Sequence, residues 1–202
     1  MSTSWMKNPG FWNLPNTLTV ARLFLVPLMV YLLWSAPSET EWFVAFWIFI
    51  AAMITDIVDG SLARRWGLVS PAGAYLDPLA DKLMVGTVLI MLVPLGKVPA
   101  WLVALLIARE SAITGLRGIA SQEGFVISAS TLGKIKTAFQ GSALGFMLWP
   151  THPFGLTPAS GGMILAYIAT FFALASAAEY LIQFFRLSAE KVKAELAKGG
   201  KA

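Results

Sequence analysis

Four aspartates fall into two pairs with helical spacing. Asp56 and Asp59 are three residues apart, and Asp77 and Asp81 are four apart. On a helix either spacing puts both carboxylates on one face. Gly60 and Ala63 continue the first face, Arg64 lies beside it, and Gly73 sits one turn before Asp77 on the second. The stretch from Trp66-Gly67 to Pro71-Ala72 breaks the two helices apart, and so short a connection makes them antiparallel neighbours. Four carboxylates at one end of such a hairpin repel one another and call for a cation. Hard oxygen donors without thiolate or imidazole point to Mg²⁺ or Mn²⁺. Two such ions about 3.5–4 Å apart can clamp a phosphoryl group between attacking and leaving oxygens. Gly60, Ala63 and Gly73 leave a groove where a ligand can approach the backbone, and Arg64 is placed to pair with a phosphate. A blander account also exists: carboxylates in a membrane pair with arginine or line an ion path. Asp59 with Arg64 alone would fit that account. The full spacing, with small residues and an arginine on the same stripe, outweighs it.

The elements that must carry these residues are apolar. Of 202 residues, 57% are hydrophobic and 13% charged, and the mean hydropathy is +0.69. A soluble domain of this size needs a more charged surface. Several apolar runs approach the length of about 20 residues that crosses a bilayer. The expected fold is therefore an all-α integral membrane protein with six transmembrane helices: about Leu18–Trp34, Glu41–Arg65, Leu76–Leu95, Ala100–Ile119, Leu132–Trp149 and Gly162–Leu187. No repeat and no linker is visible, so residues 1–202 read as a single membrane domain. Within it, 1–16 is a short N-terminal interfacial helix bearing Trp5, Met6, Phe11 and Trp12. Residues 17–187 form the catalytic bundle, and 188–202 a basic tail. That tail reads as a solvated terminus, with a frayed amphipathic helix on anionic lipid as the lesser alternative. The N-terminal stretch lacks the apolar core of a cleavable signal.

The chain has no cysteine and one histidine, His152, in an uncharged loop. Disulfides, thiolate chemistry and histidine-rich metal sites are thereby excluded. The net charge of +4 does not point to nucleic acid; in a membrane protein the distribution of Lys and Arg matters. The connections near Ser35–Glu41, Lys97 and Pro150–Gly161 hold a single Lys between them. Lys7, Arg22, Arg64, Arg65, Arg117, Lys134, Lys136 and the tail lysines lie on the opposite side. The positive-inside rule then puts both termini and the acid cluster in the cytoplasm.

The hairpin pattern D-x2-D-G-x2-A-R-x8-G-x3-D-x3-D resembles the signature of the CDP-alcohol phosphotransferases, with all eight fixed positions present. The resemblance implies a six-helix membrane fold with two divalent cations. It implies that Asp56, Asp59 and Asp77 bind metal, that Asp81 also lies at the metal site as general base, and that Gly60, Ala63 and Arg64 hold the CDP moiety. Gly73 joins these as part of the same groove. Members of the family are often homodimers, and nothing in this sequence locates an interface.

Three further segments are similar to the bacterial phosphatidylglycerophosphate synthase branch: Asn13–Arg22, Ala108–Arg117 and Leu132–Thr137. The implied partners are CDP-diacylglycerol, glycerol 3-phosphate and the bilayer of the bacterial cytoplasmic membrane. Glycerol 3-phosphate is a small dianion whose pocket needs cations. Arg109, Arg117, Lys134 and Lys136 are the candidates for its phosphate. Arg109 lies inside an apolar span, and its neighbour Glu110 points about 100° away on a helix, so the two need not pair. Lys134 and Lys136 read equally well as ordinary flanking charge. Glu179 is a buried acid whose partner is Arg109 or none identifiable. Rival acceptors are inositol phosphate, serine and phosphatidylglycerol. A rival of another class is a small ion-coupled transporter, although such proteins usually show repeats and broken helices.

Overall fold

The computed structural model describes residues 14–66, 71–125, 127, 130–150 and 158–199, with side chains over 16–56, 76–125, 127, 130–150, 160–193 and 196. The described residues form six helices and no strand. They are α1 (Leu14–Leu33), α2 (Glu39–Trp66), α3 (Pro71–Leu92), α4 (Ala100–Gln122), α5 (Thr131–Leu148) and α6 (Pro158–Gly199). Helix number and order match the expected helices, but several boundaries shift for physical reasons.

At the start of α2, Ser38 and Glu41 form a capping box. Glu41 accepts from the Ser38 backbone at 2.7 Å, and the Glu41 amide donates back to Ser38 Oγ at 3.3 Å. This satisfies two donors that would otherwise be orphaned. Helix α3 begins at Pro71, five residues before the apolar run, because proline suits the first helical turn. Gly73, Asp77 and Asp81 thus all lie within α3. It ends earlier than expected because Gly96 takes a left-handed φ of 67°. The Lys97 amide then bonds Leu92 O at 3.1 Å, and that of Gly96 bonds Val93 O at 3.0 Å, the paired bonds of a Schellman stop. Gly124, with φ 79°, closes α4 in the same way through Phe125 to Ala120 O. Helix α6 runs to Gly199, well past Leu187. The first part of the expected basic tail is therefore helical, and Lys191 reaches Glu123 Oε2 at 2.6 Å. The interfacial segment lies outside the described residues up to position 13, and Leu14–Asn16 already belong to α1.

The packing divides into two compact units. The first comprises 1–99 and 143–163, the second 100–142 and 164–202. In the first, α1 packs against α3 most extensively and also against α2. Its core includes Met29, Leu33, Phe49, Met84 and Met147, each almost fully buried. In the second, Leu102 and Leu106 of α4 and Ala169, Ala173 and Tyr180 of α6 are buried.

By length and hydropathy, two of the described helices pass as membrane spans: Asn16–Leu33 in α1 and a stretch within Ser160–Lys193 of α6.

Gly162 marks a close helix approach inside the first unit. A Cβ there would stand 2.4 Å from Met147 Cγ and 3.0 Å from the Ala143 carbonyl oxygen. Alanine in an open helix position is worth up to about 1 kcal/mol over glycine. Overpacking a filled contact costs about 1–3 kcal/mol. Gly162→Ala should therefore lower the thermal midpoint of the purified protein. Gly115→Ala, where nothing lies within 4 Å, should leave it equal or higher. An equal rise in both would show that the α5–α6 approach is loose.

Candidate active site

Helix α1 carries three buried polar residues three apart: Asn16, Thr19 and Arg22, at 2%, 1% and 3% exposure. The spacing puts them on one stripe. Arg22 Nη1 donates to Asp56 Oδ1 on α2 at 2.6 Å. Thr19 Oγ1 donates to Asp77 Oδ1 on α3. One face of α1 therefore holds one acid from each helix of the hairpin. Sequence reading counted Arg22 among the charges of the cytoplasmic side; the structure buries it against a carboxylate. The available signal was its position inside a long apolar helix, where an arginine is costly without a partner. Thr19 and Asn16 carried no such signal except their shared register with it.

Asp56 and Asp77 are half-buried, as is Asp81 one turn beyond Asp77. Pro78, directly after Asp77, removes a backbone donor from that turn. Asp59, Gly60, Ala63 and Arg64 lie on α2 and Gly73 near the start of α3, but their side chains fall outside the described residues. Among the described residues, no group of three acidic, histidine or cysteine side chains gathers closely enough to hold a metal ion. The donor set nevertheless suits a hard divalent cation. It is all carboxylate oxygen, with two members already oriented by donors from α1.

The second unit holds the cations. Arg109 on α4 donates from Nε to Ala173 O at 3.0 Å and from Nη2 to Ser176 Oγ at 2.6 Å, both on α6. Its Nη1 donates to Glu110 Oε1 at 2.7 Å. Helical angles left this pairing open, and the structure makes it. The two side chains leave the helix in different directions, but the arginine arm is long enough to curl back onto its neighbour. Lys136 on α5 meets the same oxygen at 2.5 Å, and its side chain is 8% exposed. It is thus no flanking surface charge. Arg117 is exposed and lies 5.5 Å over the Tyr180 ring. Lys134 is exposed in the first turns of α5. Of four expected phosphate ligands, the structure brings Arg109 and Lys136 together. Glu179 accepts from Ser130 rather than from Arg109, and Ser130 Oγ also caps α5 through the Leu132 amide at 3.2 Å.

The sequence pattern of the CDP-alcohol phosphatidyltransferase family matches residues 12–181, which include both clusters. The chain belongs to this family. It is thereby an enzyme of the phosphatidyl-transferring class, in agreement with the acid signature. Curated relatives carry more specific names. The CDP-diacylglycerol–glycerol-3-phosphate 3-phosphatidyltransferase of Bacillus subtilis is 39% identical over 181 residues, covering 84% of this chain and 93% of that protein. The proteins of the same name from Escherichia coli and Rickettsia typhi are both 35% identical. They cover 84% and 83% of this chain and 93% and 94% of their own lengths.

Proposed function

We infer that this chain transfers the phosphatidyl group from CDP-diacylglycerol to sn-glycerol 3-phosphate, giving phosphatidylglycerol phosphate and CMP. The observation that carries the acceptor is the meeting of Arg109 and Lys136, two buried cations at one point, in a chain whose curated relatives are named for that acceptor. A dianionic phosphomonoester suits such a point; serine and phosphatidylglycerol do not need it.

In this reading Asp56, Asp59, Asp77 and Asp81 would hold two divalent cations, Mg²⁺ or Mn²⁺. When bound, they supply charge neutralisation at the pyrophosphate and at the attacking and leaving oxygens. Arg64 adds a positive charge to the pyrophosphate, and Gly60, Ala63 and Gly73 leave room for the cytidine nucleotide against the backbone. Arg109 and Lys136 bind the acceptor phosphate, with Arg117 and Lys134 as further cations on the same side. Asp81 takes the proton from the 1-hydroxyl of glycerol 3-phosphate. The oxygen attacks the phosphorus that carries the diacylglycerol, the bond to CMP breaks, and CMP leaves with the electron pair. Catalysis is positioning plus charge stabilisation. No side chain needs to become phosphatidylated, and a trapped phosphatidyl-enzyme would disprove direct displacement.

The same reading makes the chain a six-span protein of a bacterial cytoplasmic membrane, with termini and acids on the cytoplasmic side. Large apolar side chains exposed on α1, α2, α3, α4 and α6, such as Phe24, Ile54, Ile90, Trp101 and Phe171, support it. Lipid is the natural neighbour for such a surface.

The test is CMP release by purified protein given CDP-diacylglycerol, Mg²⁺ or Mn²⁺, and one acceptor at a time, with EDTA controls. Metal-dependent release with glycerol 3-phosphate, and not with inositol phosphate, serine or phosphatidylglycerol, is expected. Release with another acceptor alone would reassign the substrate. Failure with all four would place the acceptor outside this panel and discard the glycerol 3-phosphate reading.

A further inference from the structure

Arg109 and Lys136 come from different helices and share one partner. Oε1 of Glu110 lies 2.7 Å from Arg109 Nη1 and 2.5 Å from Lys136 Nζ. The side chains of Lys136, Arg109 and Glu110 are 8%, 12% and 27% exposed. Two cations this deeply placed repel each other, and a carboxylate touching both turns the repulsion into attraction. Arg109 is also fixed from α6 by Ala173 and Ser176, so Glu110 ties Lys136 to an arginine already anchored.

We propose that Glu110 is a positioning residue for the acceptor: its carboxylate gathers Arg109 and Lys136 into one cradle for a phosphomonoester dianion. This rests on the reading that the acceptor is glycerol 3-phosphate. Glu110 does not touch the acceptor; it acts through the two cations. Among the described residues two positive groups and one negative group meet here, so Glu110 tempers the charge of the two cations. The guanidinium offers a planar fork and the ammonium a compact point charge, so the two recognise different oxygens of one phosphate. Arg117 over Tyr180 and the exposed Lys134 have no comparable built geometry.

The experiment measures KM for both substrates and kcat, with the wild type run first on the acceptor panel. Glu110→Gln keeps the shape and removes the charge. It should raise KM for glycerol 3-phosphate at least about tenfold, as loss of charge-assisted order implies. KM for CDP-diacylglycerol should stay within about twofold, because uniform binding is lost at one substrate only. Glu110→Asp keeps the negative charge beside the two cations and so supplies a folded variant should the Gln variant fail to fold. Its shorter arm cannot reach both, and a displacement of this size should raise the acceptor KM at least about threefold. An unchanged acceptor KM in either folded variant overturns the cradle. So do equal rises in both KM values, which a merely structural role would produce. If the wild type uses glycerol 3-phosphate while the variants are unaffected, only the cradle fails. If the wild type uses only alcohols without phosphate, the acceptor reading and the cradle fail together.

Discussion

Asp81→Asn should lower CMP release about 10²- to 10⁴-fold, the usual contribution of a positioned general base. The substitution keeps the size of the side chain and one neutral oxygen, and removes the group that takes the proton. Asp81 lies four residues after Asp77 on α3, so the two share a face. Loss of the proton acceptor should leave the KM for CDP-diacylglycerol little changed, since Gly60, Ala63 and Arg64 are assigned to that substrate. Metal dependence should persist, because Asp56, Asp59 and Asp77 remain. Asp56→Asn provides the contrast. Like Asp81→Asn it removes a proposed metal ligand, but it also removes the carboxylate that meets the buried Arg22. Removing the partner of a buried arginine is destabilising, although the half-exposed Asp56 end of the pair lessens the loss, so this variant should lose thermal stability as well as turnover. The measurements are CMP release against metal concentration and thermal unfolding of each variant. Near-normal turnover of Asp81→Asn with metal still required would remove Asp81 from the base role.

Arg109→Ala should raise the KM for glycerol 3-phosphate by about 10²-fold, since two charged hydrogen bonds at about 1.5 kcal/mol each give roughly 3 kcal/mol. The guanidinium is held in three directions, by Ala173 O, Ser176 Oγ and Glu110 Oε1. Those contacts fix its plane and aim its remaining donors. Arg109→Lys should recover little, because an ammonium cannot reproduce a planar fork with separated donors. Arg117→Ala should cost far less, since that guanidinium is exposed and rests on the face of Tyr180. Kinetics with each substrate varied in turn separate the outcomes. An Arg109→Ala enzyme with wild-type acceptor KM would move the phosphate site elsewhere. Arg117 and Lys134 would then be the next residues to change.

The acid hairpin was legible because its information is local. Asp56 and Asp59 share one helix, Asp77 and Asp81 the next, and the turn lies between them, so spacing alone predicts the arrangement. Helix existence was legible for a similar reason: apolar runs of sufficient length are visible in one dimension. Helix ends were less so. Pro71 starting α3 and Gly96 and Gly124 closing helices through left-handed turns follow familiar rules, but hydropathy placed those ends by apolar content alone. The exception among local features was the Arg109–Glu110 pair, which helical angles left open and side-chain length decided.

By itself, then, the sequence determined the family signature, the six helices in order, the hard-oxygen donor set and the four cations from which an acceptor site could be drawn. Each depends on residue type and on spacing within one helix or hairpin. Only the tertiary structure decided that Arg22 and Thr19 of α1 hold Asp56 and Asp77. It also decided that Lys136 is buried rather than solvated, that Glu110 joins it to Arg109, and that Glu179 pairs with Ser130. The contacts between helices link residues far apart in sequence, 26 to 58 positions in Lys136–Glu110, Arg22–Asp56 and Thr19–Asp77. Such a partner is chosen by which helix faces meet, and one buried charge forces the choice of another because neither is stable in an apolar interior alone.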